Sequence, residues 1–199
     1  MTLKERIIRN KDGKLIFSDY FDEYKDGYVR NTLMELVQEG VLIRLSKGIY
    51  YKPVRTRLGI LYPQVDEVIN AIAKRDHAVI LPTGNTAVHQ LGLTTQVPMN
   101  YEYLTNGAAR QLIIDKRTVR LKHGVAANFA FRGKLMSMLH QAMRAIGKDN
   151  ITREHIAHIA HLIINHPEQD TWQHDMKILA AWELNIIKPV INRYHEQMD

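Results

Sequence analysis

Apolar positions in the first part of the chain recur at helical spacing. The longest of these segments, Tyr28 to Glu39, has one apolar stripe, so it predicts an amphipathic helix that ends at Gly40. The stripe consists of Val29, Leu33, Leu36 and Val37. Two shorter helices are predicted over residues 3–9 and 18–24, the second capped by Ser18 and preceded by an extended run at residues 15–17.

Two strand-like runs follow the long helix, at residues 41–44 and 49–52, and Ser46-Lys47-Gly48 supplies the turn of a hairpin. Helix, breaker, helix and hairpin is the element order of a winged helix-turn-helix, although any small α+β domain can use the same order. Residues 54–59 are interpreted as a linker. We therefore expect a winged helix-turn-helix domain over residues 1–57 and a second domain over residues 58–199.

The second domain is predicted to be mixed α+β. Its strands are expected mainly between residues 78 and 123, and its helices between residues 132 and 195. Thr152 is expected to cap one of these helices, and Pro189 is expected to kink the last helical region, which starts at Trp172. The fold class predicted for the whole chain is thus α+β: a winged helix-turn-helix, then a small sheet and a helical C-terminal part.

Composition narrows the classes of protein that fit these 199 residues. No run approaches the roughly 20 apolar residues of a membrane-spanning helix, and charges at Lys4, Glu5 and Arg6 do not suit a signal peptide. The absence of cysteine excludes disulfides and fits a reducing compartment, so we expect a cytoplasmic protein without a membrane partner. The net charge is +6, and residues 1–57 hold twelve basic and eight acidic side chains. Such an excess suits a polyanionic partner.

The predicted long helix has polar side chains opposite its apolar stripe. Arg30, Asn31 and Met34 would point outward, and arginine and asparagine are the residues that pair with guanine and adenine in the major groove. Lys25, Arg44 and Lys47 would flank the helix and contact phosphates. Tyr28, at the start of the helix, is included in the predicted contact set. The alternative is an ordinary solvated face.

The sequence contains few candidate residues for metal binding, phosphate binding or catalysis. His155, His158 and His161 with Glu154 suggest a metal site, but Glu154 and His161 lie about 10 Å apart along a helix, so a second element would have to contribute. The chain has neither a glycine-rich phosphate loop nor a nucleophile elbow. We therefore expect no enzyme, no metal and no cofactor.

The densest basic run is residues 116–123. Strand alternation would bury Val119 and Leu121 and put Thr118, Arg120 and Lys122 on the other face, with Arg110 and Arg117 nearby. This strip is either a solvated edge or a surface for a partner.

Several of these segments together resemble AbiEi-type antitoxins of type IV toxin–antitoxin systems. The resemblance lies in the predicted wing, Gly40-Val41-Leu42-Ile43-Arg44-Leu45-Ser46-Lys47-Gly48-Ile49-Tyr50-Tyr51. It continues through Pro82-Thr83-Gly84-Asn85-Thr86-Ala87, Leu91-Gly92-Leu93-Thr94-Thr95-Gln96-Val97-Pro98, Tyr103-Leu104-Thr105-Asn106-Gly107 and Leu121-Lys122-His123. These runs cover most of residues 40–123, and beyond Gly124 the resemblance is looser.

The resemblance implies a protein that binds inverted repeats in double-stranded promoter DNA and represses its own operon. It also implies a C-terminal domain that counteracts a toxin of nucleotidyltransferase fold, which in that family is not thought to require a stable complex. It carries over the recognition-helix positions Arg30, Asn31 and Thr32 and the wing positions Arg44 and Lys47. The antitoxin surface is assigned from charge alone, to Arg110, Arg117, Arg120 and Lys122.

Three other functions stay open at this point. In the first, the chain is a winged-helix regulator whose second domain senses a ligand or partner, and no toxin is involved. In the second, it is a metal-dependent hydrolase whose site is built on the predicted helix of His155, His158 and His161. In the third, it is an interaction module whose winged helix binds protein.

Overall fold

The structure, a computed structural model, describes residues 1–198 and is an α+β fold. The described residues form eight α-helices and nine strands. The helices are α1 Leu3–Ile8, α2 Asp26–Gln38, α3 Val65–Asp76, α4 Gly84–Gln90, α5 Lys134–Ile146, α6 Arg153–Asn165, α7 Gln169–Asp175 and α8 Ala181–Met198. The strands are β1 Leu15–Phe17, β2 Ile43–Ser46, β3 Ile49–Tyr51, β4 Val54–Thr56, β5 Gly59–Leu61, β6 Ile80–Pro82, β7 Asn100–Thr105, β8 Arg110–Ile114 and β9 Arg117–His123.

Contacts divide the described residues into two compact units. The first comprises residues 1–76 and 110–119, and the second comprises residues 77–109 and the described residues from 120 onward. The unit that contains residues 1–57 therefore also includes α3 and β8. A domain boundary after Arg57 stays a prediction.

A three-stranded antiparallel sheet and α2 form the centre of the first unit. The sheet order is β1-β3-β2, with Phe17 opposite Ile49 and Ile43 opposite Tyr51. The predicted stripe of α2 is confirmed, because Val29, Leu33 and Leu36 are buried. They pack in one cluster with Leu3, Ile7, Ile16, Phe21, Leu42 and Tyr50. Each fully buried leucine of this kind contributes about 1.5–3 kcal/mol.

Two local predictions in this unit were wrong. Residues 18–21 form a short 3-10 turn rather than a helix to residue 24, and the Ser18 side chain does not cap it. Residues 54–59 are not a linker, since β4 and β5 pair as a hairpin with Val54 opposite Leu61. The Thr56 hydroxyl closes this hairpin by donating to the carbonyl of Gly59, 2.9 Å away.

The second unit has a helical core. A buried cluster joins α4, α5, α6, α7 and α8, with Leu139, Ile159 and Ile187 fully buried. The four-stranded sheet has the order β6-β7-β9-β8, and the boundary between the units falls within β9. The predicted cap is confirmed, because the Thr152 hydroxyl accepts a hydrogen bond from the His155 amide. The last helical region is two helices, and Pro189 lies inside α8.

Two carboxylates, one on the residue directly before α7 and one on the last residue of α7, cap the N-terminus of α5. Asp175, with no exposed surface, accepts hydrogen bonds from the backbone N–H groups of Arg132 (2.9 Å) and Gly133 (2.7 Å). Glu168 accepts from the N–H groups of Lys134 and Leu135. A helix leaves its first amides unsatisfied, so these carboxylates satisfy donors that would otherwise be buried without partners.

The same contacts set the protonation of Asp175. Burial by itself raises the pKa of the carboxyl group, but the hydrogen bonds from Arg132, His174 and Gly133 outweigh it. The pKa of Asp175 therefore lies below its ordinary value. A carboxyl group with a lowered folded-state pKa stabilises the fold above its unfolded-state pKa, about 3.9, and this contribution is lost as the pH falls through the folded-state value.

No helix among residues 1–198 combines the length and the apolar character needed to cross a bilayer.

We expect Asp175→Asn to lower the free energy of unfolding by about 2–4 kcal/mol at neutral pH. The asparagine amide would present its own N–H donors to backbone donors, leaving one of them unsatisfied. Urea denaturation monitored by circular dichroism measures the change. The difference from the unsubstituted protein should shrink as the pH falls from about 5 toward 2, because the native carboxylate is then protonated as well.

The matched control is Asp170→Asn, which removes an exposed carboxylate from the same helix. It should change the free energy of unfolding by less than about 0.5 kcal/mol. Equal effects of the two substitutions would contradict the capping role of Asp175.

Candidate nucleic-acid interface

A groove of about 500 Å³ runs between the N-terminal half of α2 and the β2–β3 hairpin. Its helix wall carries Arg30 and Met34, and its hairpin wall carries Arg44 and Lys47. The floor is apolar, since it includes the buried side chains of Val29, Leu33 and Tyr50. The buried stripe of α2 thus fixes the helix while its opposite side lines the groove.

The cations at this groove are free of counterions. Arg30, Arg44 and Lys47 are exposed, as is Lys25 directly before α2, and none of the four forms an ion pair with a residue that the structure describes. Other cations of the same unit are neutralised, among them Lys4, Arg6, Lys52, Arg75 and Arg110. A cluster of unpaired positive side chains favours an anionic ligand.

Acidic side chains near the helix are mostly compensated. The ammonium group of Lys4 lies 2.7 Å from Glu35 Oε1 and 2.6 Å from Glu39 Oε1, which joins α1 to the C-terminal half of α2. The hydrogen bond from Lys4 lowers the pKa of Glu35. At the groove, Asp19 lies 3.6 Å from Arg75, and Asp26 occupies the first turn of α2, where the helix dipole favours a negative charge.

The turn of the hairpin is held from two sides. Gly48 has φ +73°, and its carbonyl accepts a hydrogen bond from the Ser18 amide at 3.0 Å. A Cβ atom at Gly48 would lie 2.9 Å from the Ser18 hydroxyl, so a side chain there would force the hydroxyl to move. On the outer strand, the Ser46 hydroxyl donates to the carbonyl of Gln111 in β8 at 2.8 Å. These bonds keep Lys47 at a defined position beside α2.

One predicted contact residue has to be corrected. Thr32 is 5 % exposed and lies on the core side of α2, so its side chain cannot reach a ligand at the groove. The helical spacing explains this, because Thr32 lies three residues after Val29 and next to Leu33, both of which are buried. Asn31 and Tyr28 are exposed as expected. Asn31 is nevertheless outside the lining of the groove.

The basic strip on β9 is less continuous than its sequence suggests. Val119 and Leu121 are buried and Arg120 and Lys122 are exposed, so the predicted alternation is confirmed. Alternation also puts Arg117 on the opposite face from Arg120. Lys122 is paired with Glu102 at 2.6 Å.

Arg110, the fourth predicted residue of the antitoxin surface, is half-buried in the first unit. Its guanidinium lies 2.7 Å from Asp76. Burial by itself raises the pKa of Asp76, but the hydrogen bond from Arg75 and the charges of Arg110 and Arg75 outweigh it and hold this pKa below its ordinary value. A guanidinium engaged in this way contributes to the fold rather than to an open cationic surface.

The three histidines of α6 are each engaged separately. His155 takes part in the cap of its own helix, and the ring of His158 contacts the carbonyl of Leu91 at 2.8 Å. The ring of His161 faces Asn165. Within residues 1–198, no three histidine or acidic side chains are placed to share a metal ion.

Sequence reasoning missed two features of this site. The bond between Ser18 and Gly48 joins residues far apart in the chain, and no local pattern signals it. The Arg55 guanidinium donates to the carbonyl of Gly40 at 2.6 Å, so it supports the end of α2. The sequence indicated Gly40 as the end of the helix, but it did not indicate that Arg55 would bind the Gly40 carbonyl.

Comparison with protein families gives one match. A family model described as a family of unknown function (DUF6088) matches residues 2–171. The chain belongs to this DUF6088 family. The match covers α2, the β2–β3 hairpin and the groove between them, so these features lie within the region that defines DUF6088. No curated protein is similar enough to be matched with the chain.

We expect Gly48→Ala to lower the free energy of unfolding by about 1–2 kcal/mol, because alanine is strained at positive φ and its Cβ would displace Ser18. Gly27→Ala is the matched control at the same groove. Gly27 lies in the first turn of α2 with nothing within 4 Å of a Cβ, so alanine there should leave stability unchanged or raise it by up to about 1 kcal/mol. Thermal denaturation measures both changes, and a loss of stability in Gly27→Ala as large as that in Gly48→Ala would contradict this account of the turn.

Proposed function

We propose that the first unit of this protein is a winged helix-turn-helix that binds double-stranded DNA. In this proposal α2 is the recognition helix, the β2–β3 turn is the wing, and the protein is a non-enzymatic transcriptional repressor. The observation that carries the proposal is a set of four cations around the exposed side of α2 that form no ion pair within residues 1–198: Lys25, Arg30, Arg44 and Lys47.

The topology of the first unit supports this proposal. A winged helix-turn-helix consists of a helix, a strand, two helices and two strands, with the last strand in the middle of the sheet. Here α1, β1, the 3-10 turn at residues 18–21, α2, β2 and β3 follow in that order, and β3 lies between β1 and β2. The short 3-10 turn takes the place of the helix that precedes the recognition helix.

The exposed chemistry of α2 also suits a duplex. The major groove is about 12 Å wide and admits one helix, whose N-terminal residues reach the base edges. In this proposal Arg30, in the first half of α2, contacts the paired acceptors of guanine, and Lys47 on the wing contacts a phosphate. Asp26 would repel phosphates, so we expect α2 to approach base edges there rather than the backbone.

The first experiment separates base reading from phosphate binding. Arg30→Ala should raise the Kd for the preferred duplex by about 5–150-fold, the equivalent of about 1–3 kcal/mol, and have much less effect on a random duplex. The preferred duplex is the one that binds best in a selection from a pool of random sequences and of fragments from the region upstream of the gene. Fluorescence anisotropy then measures the Kd for this duplex and the Kd for a random duplex.

Lys47→Ala is the comparison variant in the same experiment. It should weaken binding to both duplexes equally and reduce the slope of log K against log salt concentration by about 0.9. Arg153→Ala, which removes an exposed arginine from α6 in the second unit, serves as the charge control and should change neither quantity. Equal losses on both duplexes for Arg30→Ala would refute the recognition-helix assignment.

We further propose that this repressor acts as the antitoxin of a type IV system, on the support of the resemblance over residues 40–123. The partner in this proposal is a toxin of nucleotidyltransferase fold that is counteracted without a stable complex. Within residues 1–198, the members of the predicted antitoxin surface that form no ion pair are then Arg117 and Arg120, since Lys122 and Arg110 already have acidic partners.

Co-expression tests the antitoxin proposal. If the gene that follows this one encodes such a toxin, its expression alone should stop growth, and co-expression of this chain should restore growth. Arg30→Ala should still restore growth when both genes are under an unrelated promoter, because DNA binding is then not needed. Rescue that fails for the complete chain, or the absence of any toxic neighbour, would favour a regulator whose second domain senses a ligand or partner.

A further inference from the structure

The edge strand of the sheet in the second unit borders a cavity. β6 is at the end of the strand order and pairs only with β7, with Leu81 opposite Leu104. A cavity of about 290 Å³ lies against it, and the four consecutive residues 79–82 all line this cavity. Side chains of a strand alternate between its two faces, so a cavity lined by consecutive residues lies along the edge of the strand.

The unpaired backbone groups of β6 point to this edge. The amide of Asn106 donates to the carbonyl of Val79, and the amide of Thr83 donates to the carbonyl of Glu102. Residues 79 and 83 therefore direct their backbone groups toward β7. In an antiparallel pair this direction alternates from one residue to the next, so Ile80 directs its N–H and C=O away from β7. Pro82 has no N–H but offers its carbonyl in the same direction.

The far wall of the cavity is mostly apolar. It includes Phe129, Phe131 and Met138, together with the polar residues Asn128 and Ser137, the latter near the start of α5. Ser137 is 9 % exposed, and its hydroxyl forms no hydrogen bond with any residue the structure describes. This wall offers room for apolar side chains and one donor or acceptor beside them.

The rim of the cavity is cationic. Arg132 and Lys134 line it with exposed side chains, and neither is in an ion pair with a described residue. The nearby carboxylates of Asp175 and Glu168 are occupied by the backbone N–H groups of α5. The rim therefore complements an acidic ligand, while the cavity itself complements apolar side chains.

We propose that this cavity, the β6 edge groove, binds an extended segment of a partner protein in which apolar and acidic residues alternate. The segment would pair with Ile80 as an added strand, place an apolar side chain between β6 and Phe131, and set an acidic side chain against Arg132 and Lys134. The proposal concerns the second unit alone and does not depend on DNA binding.

A peptide selection tests it. A phage-displayed library of random peptides about six residues long, the length of an ordinary strand, is selected on the full chain. The selected peptides should alternate acidic and apolar residues. The charge-reversed variant R132E/K134E should bind the best synthetic peptide roughly tenfold more weakly in fluorescence anisotropy. The variant R144E/R153E, which reverses two exposed arginines outside the groove, should bind as the original chain does.

Two further measurements address the strand pairing itself. Peptide binding should slow hydrogen exchange of the Ile80 amide, and N-methylation of alternate peptide amides should abolish binding. The milder variant R132Q/K134Q gives an intermediate loss and guards against misfolding of the charge-reversed protein.

The proposal is overturned by a library that yields no binding peptide, by undiminished binding to R132E/K134E, or by equal binding of the N-methylated peptide. A dimer of the free chain that dissociates in R132E/K134E would likewise overturn it, because the occupant would then be a second copy.

Discussion

The burial of one side of α2 is the constraint on which the candidate interface depends. Leu33 and Leu36 are completely buried against α1 and the three-stranded sheet, so the helix cannot rotate without exposing them to water. Because the helix cannot rotate, its opposite side, which carries Arg30 and Met34, stays at the groove. A recognition surface needs such rigidity, because base contacts are made only within narrow distance and angle limits.

Charge pairing then distinguishes this surface from the rest of the first unit. Lys4 pairs with both Glu35 and Glu39 at the C-terminal half of α2, while Arg30, Arg44 and Lys47 form no ion pair within residues 1–198. A protein gains little stability from exposed unpaired cations that repel each other, so their grouping is better explained by a ligand than by the fold. The proposed DNA contact supplies the missing anions.

In the second unit, the main electrostatic feature is the N-terminus of α5 with its two carboxylates. The amides at the N-terminus of α5 require acceptors, and Asp175 and Glu168 supply them. The exposed side chains of Arg132 and Lys134 form no ion pair with either carboxylate and line the β6 edge groove. The carboxylates that stabilise the helix therefore also explain why the groove keeps a cationic rim.

Periodicity determined much of this protein without reference to its tertiary structure. The stripe of α2, the alternation of β9 and the cap at Thr152 depend on neighbours within a few residues, and each was predictable. Tertiary structure alone decided that Ser18 holds Gly48 and that Asp76 engages Arg110. These outcomes depend on partners distant in the chain, and local spacing carries no information about which distant side chains will meet.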